Sequence, residues 1–95
     1  MTEIKDLTAK IHKIADERDW HQFHNPKDCA LSLSLEAAEV LEHFQWRNGK
    51  ELDEYVKKHK EEIGEEIADV LYWALRMSEV IGVDVKELLE KKLVK

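Results

Sequence analysis

The sequence predicts an all-α protein, an antiparallel helical bundle. Three observations carry this prediction. Apolar residues recur at three- and four-residue spacing along most of the chain, the period of an amphipathic helix. No segment alternates apolar and polar residues for long, so no sheet is expected. Gly and Pro together number four in 95 residues, while 38 % of the residues are charged, a balance typical of helical proteins.

The elements follow in order. Ile4, Leu7, Ile11 and Ile14 form the apolar stripe of a first helix, with Thr2 placed to cap it. "ERDWHQFHNP" interrupts that stripe. Asn25 followed by Pro26 reads as an N-cap and a first-turn proline, opening a second helix over about 26–46. Asn48-Gly49 reads as its C-terminal stop. "KELDEYVKKHK" predicts one or two turns of helix. A long helix follows from about Lys60 to Ile81, tolerating Gly64 and ending at Gly82. Asp84 is placed to cap a last helix, "VKELLEKKLVK". Short connections between helices favour antiparallel packing.

The whole reads as one domain, residues 1–95. So short a chain buries a modest core, and homo-oligomerisation is a natural way to bury more. The net charge of −6 argues against nucleic acid or an anionic membrane as a partner. It leaves nucleotides open, because a divalent cation reverses the local sign. Cys29 is the single cysteine, so no intrachain disulfide and no cysteine-based zinc site is expected, in keeping with a reducing, cytoplasmic setting. The N-terminus has no long apolar run, so neither a signal peptide nor a membrane span is expected.

The chemistry is concentrated in two acidic pairs. Glu36 and Glu39 fall about 60° apart on a helical wheel, on one side of a helix otherwise rich in apolar residues. Glu66 and Asp69 repeat the construction in "EEIGEEIADVLYWALRM", with Trp73 between them one turn on and Glu62 one turn before. Carboxylates facing one another repel and resist desolvation, so a compensating cation is expected. Oxygen donors without thiolate suit Mg²⁺ or Mn²⁺. A di-iron bundle would need Glu-x-x-His, and none of the five histidines lies three residues after a Glu. Single Glu pairs at this spacing also occur on ordinary solvated helices. It is the repetition, within apolar surroundings, that points to a site.

"LEAAEVLEHFQW" and "GEEIADVLYW", with "ERDW" and "QFH" before them, are similar to the motifs of the MazG-like all-α nucleoside triphosphate pyrophosphohydrolases, in particular the dCTP pyrophosphatase branch. The resemblance runs from about Ile11 to Lys92. It implies a four-helix core completed by homo-oligomerisation. It implies Mg²⁺, with Mn²⁺ as a substitute, on Glu36, Glu39, Glu66 and Asp69. It implies hydrolysis of a dCTP-like nucleotide to monophosphate and pyrophosphate, a nucleotide-pool sanitation reaction. Trp20, Trp46 and Trp73 then help enclose the base. Lys92 matches a phosphate-contacting lysine near the end of the last helix. Family members continue into an Asn and a basic tail, and this sequence ends at Lys95, which implies weaker phosphate contact. Glu39, with Glu36 as its rival, is the carboxylate expected to take a proton from the attacking water. Two other readings remain at this level: a non-catalytic helical dimerisation module, and a pyrophosphohydrolase acting on a phosphoribosyl nucleotide.

Overall fold

The computed structural model describes residues 3–94, except for the Phe23 side chain. The described residues form five α-helices and one 3₁₀ turn, with no strand among them. The helices are α1 (Glu3–Glu17), α2 (Pro26–Glu42), α3 (Gly49–Lys58), α4 (Lys60–Ile81) and α5 (Val85–Leu93). The cap expected of Thr2 lies outside the described residues.

Local sequence chemistry sets most boundaries. After α1 the chain reverses at Asp19, which takes a left-handed conformation (φ 56°), and the 3₁₀ turn His21–Phe23 follows. Asn25 caps α2 as expected: the Asp28 N–H donates to its side-chain oxygen at 2.8 Å, and Pro26 fills the first turn. Asp84 caps α5 in the same way, accepting from the Glu87 N–H at 3.1 Å. Gly82 ends α4 in a left-handed conformation (φ 78°). Its N–H reaches the Glu79 carbonyl and that of Val83 reaches the Ser78 carbonyl, closing the last turn in a pattern that favours glycine.

Two boundaries differ from expectation. α2 stops at Glu42 rather than near Trp46, because residues 43–46 tighten into turns, with Phe44 N–H on the Leu41 carbonyl. Asn48-Gly49 does not stop α2; it starts α3, with Asn48 extended and Gly49 at φ 56°. That leaves α3 ten residues long, nearly three turns rather than one or two. A breaker pair marks a helix boundary without saying on which side the helix lies.

α4 is the spine. α2 packs along it over the largest interface, and α1 and α3 each touch it. The two central helices are antiparallel: Cys29 of α2 lies by Tyr72 and Arg76, while Glu36 and His43 lie by Glu66. The buried set is small: Ile11, Ala15, Cys29, Ile63, Leu75 and, among charged residues, Arg76. Leu31, Leu35 and Leu41, on this apolar-rich helix, are exposed. The surface is 7503 Å², where a compact monomer of this mass would show about 5,700 Å². The radius of gyration is 15.8 Å, against about 12.4 Å for a compact domain of this length. Among the described residues no helix is long and apolar enough to cross a membrane.

Candidate active site

The antiparallel pairing of α2 and α4 brings the two acidic pairs together. Glu36 is half-buried, and its carboxyl is pushed above the usual carboxylate range. Desolvation is the largest cause, followed by the charges of Glu39 and Asp69, a hydrogen bond shared with Glu39, and the charge of Glu66. Glu39, Asp69 and Glu66 therefore each act electrostatically on Glu36. Glu66 is half-buried, Glu39 and Asp69 are exposed, and Glu62 is exposed and not among the charges acting on Glu36.

One of the four carboxylates is held by a base. His43 Nε2 lies 2.6 Å from Glu66 Oε1, and its Nδ1 lies 2.7 Å from the Tyr55 hydroxyl. The Tyr55 ring is itself sandwiched: the Arg47 guanidinium sits 3.6 Å from its centroid, and the His59 ring stacks at 4.0 Å and 23°. Arg47 also donates to the His43 carbonyl at 2.7 Å.

The aromatic residues divide. Trp20 and Trp73 are half-buried and linked through His24, whose ring centroid is 6.0 Å from the first and 5.4 Å from the second. Trp46 stands apart, 81 % exposed, with no ring contact to another described aromatic side chain. Lys92 is exposed on α5.

His24 is fixed by Arg76, which is only 2 % exposed. Arg76 donates through Nε to His24 Nδ1 (2.7 Å), through Nη2 to His21 Nδ1 (2.8 Å) and through Nη1 to Glu79 Oε1 (2.6 Å). His12 Nδ1 completes the network at 2.6 Å from Glu79 Oε2. Burial chiefly, then the charge of Arg76 and then that of His21, push the His24 pKa down. The network staples the 3₁₀ turn, and with it the segment carrying Trp20, to α4.

Among the described residues, the set of three metal-type donors gathered within 4.8 Å of one another is His12, Asp16 and His21, not the acidic pairs. Chemistry counts against a cation there. Arg76 occupies the His21 Nδ1 lone pair, so Nε2 carries the ring proton and has no lone pair to give. The oxygen-only donor set on α2 and α4 fits a hard divalent cation better.

Fold and site define an all-helical protein whose acidic centre is built by two antiparallel helices. A MazG-like family model matches residues 31–95, and the chain belongs to that family. It is 34 % identical to a pyrophosphatase from Archaeoglobus fulgidus, whose structure agrees with a TM-score of 0.89 over 98 % of this chain and 87 % of that one. It is also 30 % and 32 % identical to mouse and rat dCTP pyrophosphatase 1 over 95 % of its length. The chain spans about half the length of these curated relatives, 54 %.

Sequence reasoning missed His43, Tyr55 and Arg76. A buried charge inside an apolar run is a signal that was present for Arg76 in "YWALRM". His43 offered none: it meets Glu66 across 23 residues, and no spacing on one helix discloses that.

Proposed function

We propose that this chain is a nucleoside triphosphate pyrophosphohydrolase dependent on Mg²⁺ or Mn²⁺, acting on dCTP-like substrates. The observation that carries the reading is the packing of α2 on α4, which brings the charges of Glu39, Glu66 and Asp69 to bear on Glu36 and raises its pKa. Four carboxylates so placed form a site in want of positive charge, and these four would hold the cation. A bound divalent cation would neutralise the phosphate bridge and lower the pKa of a water. Glu39, exposed beside Glu36, would take a proton from the attacking water as its oxygen bonds to a phosphorus of the α–β bridge and the bridge P–O bond breaks, leaving monophosphate and pyrophosphate. Trp20 and Trp73, held by His24, enclose the base. Trp46 adds a further wall and Lys92 a phosphate contact. The name of the mammalian relatives supports a cytosine nucleotide, and sanitation of the cytoplasmic nucleotide pool is the role that fits.

The active form is a homo-oligomer. Leu31 and Leu35 on α2, and Ile67 and Leu71 on α4, are exposed apolar pairs one turn apart, and the surface excess is of the size an interface would remove. Sedimentation at micromolar concentration should show a dimer or tetramer, and a monomer would contradict this.

The activity is tested with a panel of canonical and modified nucleoside triphosphates and Mg²⁺, scored for pyrophosphate. dCTP and its ring-substituted relatives should turn over fastest. Glu39→Gln should lose about 10²–10⁴-fold in turnover, the usual worth of a general base. Release from none of the panel would overturn the reading.

A further inference from the structure

We propose that His43 is a positioning residue for Glu66, held in its role by Tyr55, and that this bracket presets the carboxylate for a divalent cation. The inference rests on the function proposed above, and concerns residues that the acidic motifs do not include.

Chemistry fixes the direction of the hydrogen bond to Glu66. A carboxylate only accepts, so the hydrogen between His43 and Glu66 belongs to Nε2. In a neutral ring Nδ1 then bears the lone pair, and the Tyr55 hydroxyl donates to it. In a charged ring Nδ1 donates to the Tyr55 oxygen instead. Nε2–H points at Glu66 in both states, so the bracket does not depend on the ring's titration. Oε1 of Glu66 is engaged at 2.6 Å, and Oε2 is left for another partner.

The ring is also restrained from behind. Its side chain is 13 % exposed, and the Tyr55 ring behind it is packed against the Arg47 guanidinium and the His59 ring. Three elements therefore meet at this contact: the turn after α2, α3 and α4. α3 touches α4, and the bracket adds a link from α3 through His43 to Glu66 of α4. A free Glu side chain samples many rotamers, and ordering it on binding costs affinity. Held beforehand by an outer partner, it does not, which is why partners of metal-binding carboxylates matter nearly as much as the carboxylates.

The test is Mn²⁺ binding by the nucleotide-free protein, measured by titration calorimetry beside far-UV circular dichroism. His43→Ala should weaken binding about 10–100-fold with helicity intact. His43→Gln keeps an N–H near the Nε2 position and should restore most of the affinity. Tyr55→Phe keeps the packed ring and should fall between His43→Ala and the wild type. Wild-type affinity in His43→Ala overturns the inference alone. Equal weakening in His43→Ala and His43→Gln overturns it too, since the donor would then be irrelevant. If His43→Ala fails to fold, the order wild type, His43→Gln, Tyr55→Phe decides the matter. No Mn²⁺ binding by the wild type overturns the proposed function and this inference with it.

Discussion

α4 carries two charged clusters, about two turns apart, that solve opposite problems. Around Arg76 a buried cation is satisfied from within the chain: two imidazoles and a carboxylate take its hydrogens, and His12 takes the carboxylate's other oxygen. Around Glu66 and Asp69 the charges of Glu39, Glu66 and Asp69 act on Glu36, and one imidazole, His43, bonds to Glu66. The first cluster satisfies its cation from within and leaves His21 Nε2 as its one buried side-chain polar atom without a hydrogen bond, among the described residues. The second is open and short of positive charge. The same side chain, histidine, accepts from a cation in one and donates to an anion in the other. A cation satisfied from within marks the structural cluster, and deficit marks the place where a ligand belongs.

This contrast can be broken by mutation. Arg76→Met should show the largest effect, because it strands Glu79 and both imidazoles at once. The loss is roughly 2–3 kcal/mol, below the figure for a fully buried pair because Glu79 keeps some water. Thermal denaturation should show a fall in Tm on the order of 10 °C. An unchanged Tm would mean the cluster is not the clamp it looks to be.

Glu36→Gln should act in the opposite direction at the open cluster. A carboxyl whose pKa is raised by folding contributes stability at low pH, and loses it as pH rises through the raised value. Ionised Glu36 is therefore a cost at neutral pH in divalent-free buffer. The Gln variant should melt a few degrees higher there, yet lose pyrophosphate release. A lower Tm would show that the acids are compensated already.

The smallest effect sharpens the comparison from the Arg76 side. His24 has its pKa lowered by burial first and then by Arg76, so its contribution is present above the ordinary imidazole range and is lost as pH falls through the lowered value. As pH falls below the ordinary imidazole range, amide protection at Trp20 and His24 should fall before that of α4. Simultaneous loss in both would mean the segment has no separate fastening.

The sequence disclosed what is local. Asn25-Pro26, Gly82 and Asp84 each fix a boundary through bonds spanning a few residues, and each boundary falls where expected. The acidic pairs were visible because both members of each lie on one turn of one helix. Asn48-Gly49 misled because a breaker serves the end of one helix and the start of another equally well. The partners of Arg76 lie up to 55 residues away, and that of His43 lies 23 away, so only the packing of α2 on α4 could bring them into view. The apolar richness of the second helix showed that it wants cover. It did not show that the cover is absent within one chain.

Trp46 has an optical consequence. A nearly free indole emits at long wavelength, whereas Trp20 and Trp73 are already partly covered and neighbour an imidazole that quenches when protonated. The red edge of the emission spectrum therefore belongs to Trp46. Whatever settles against that ring, a second chain or a base, writes its arrival there as a blue shift, without any label attached to the protein.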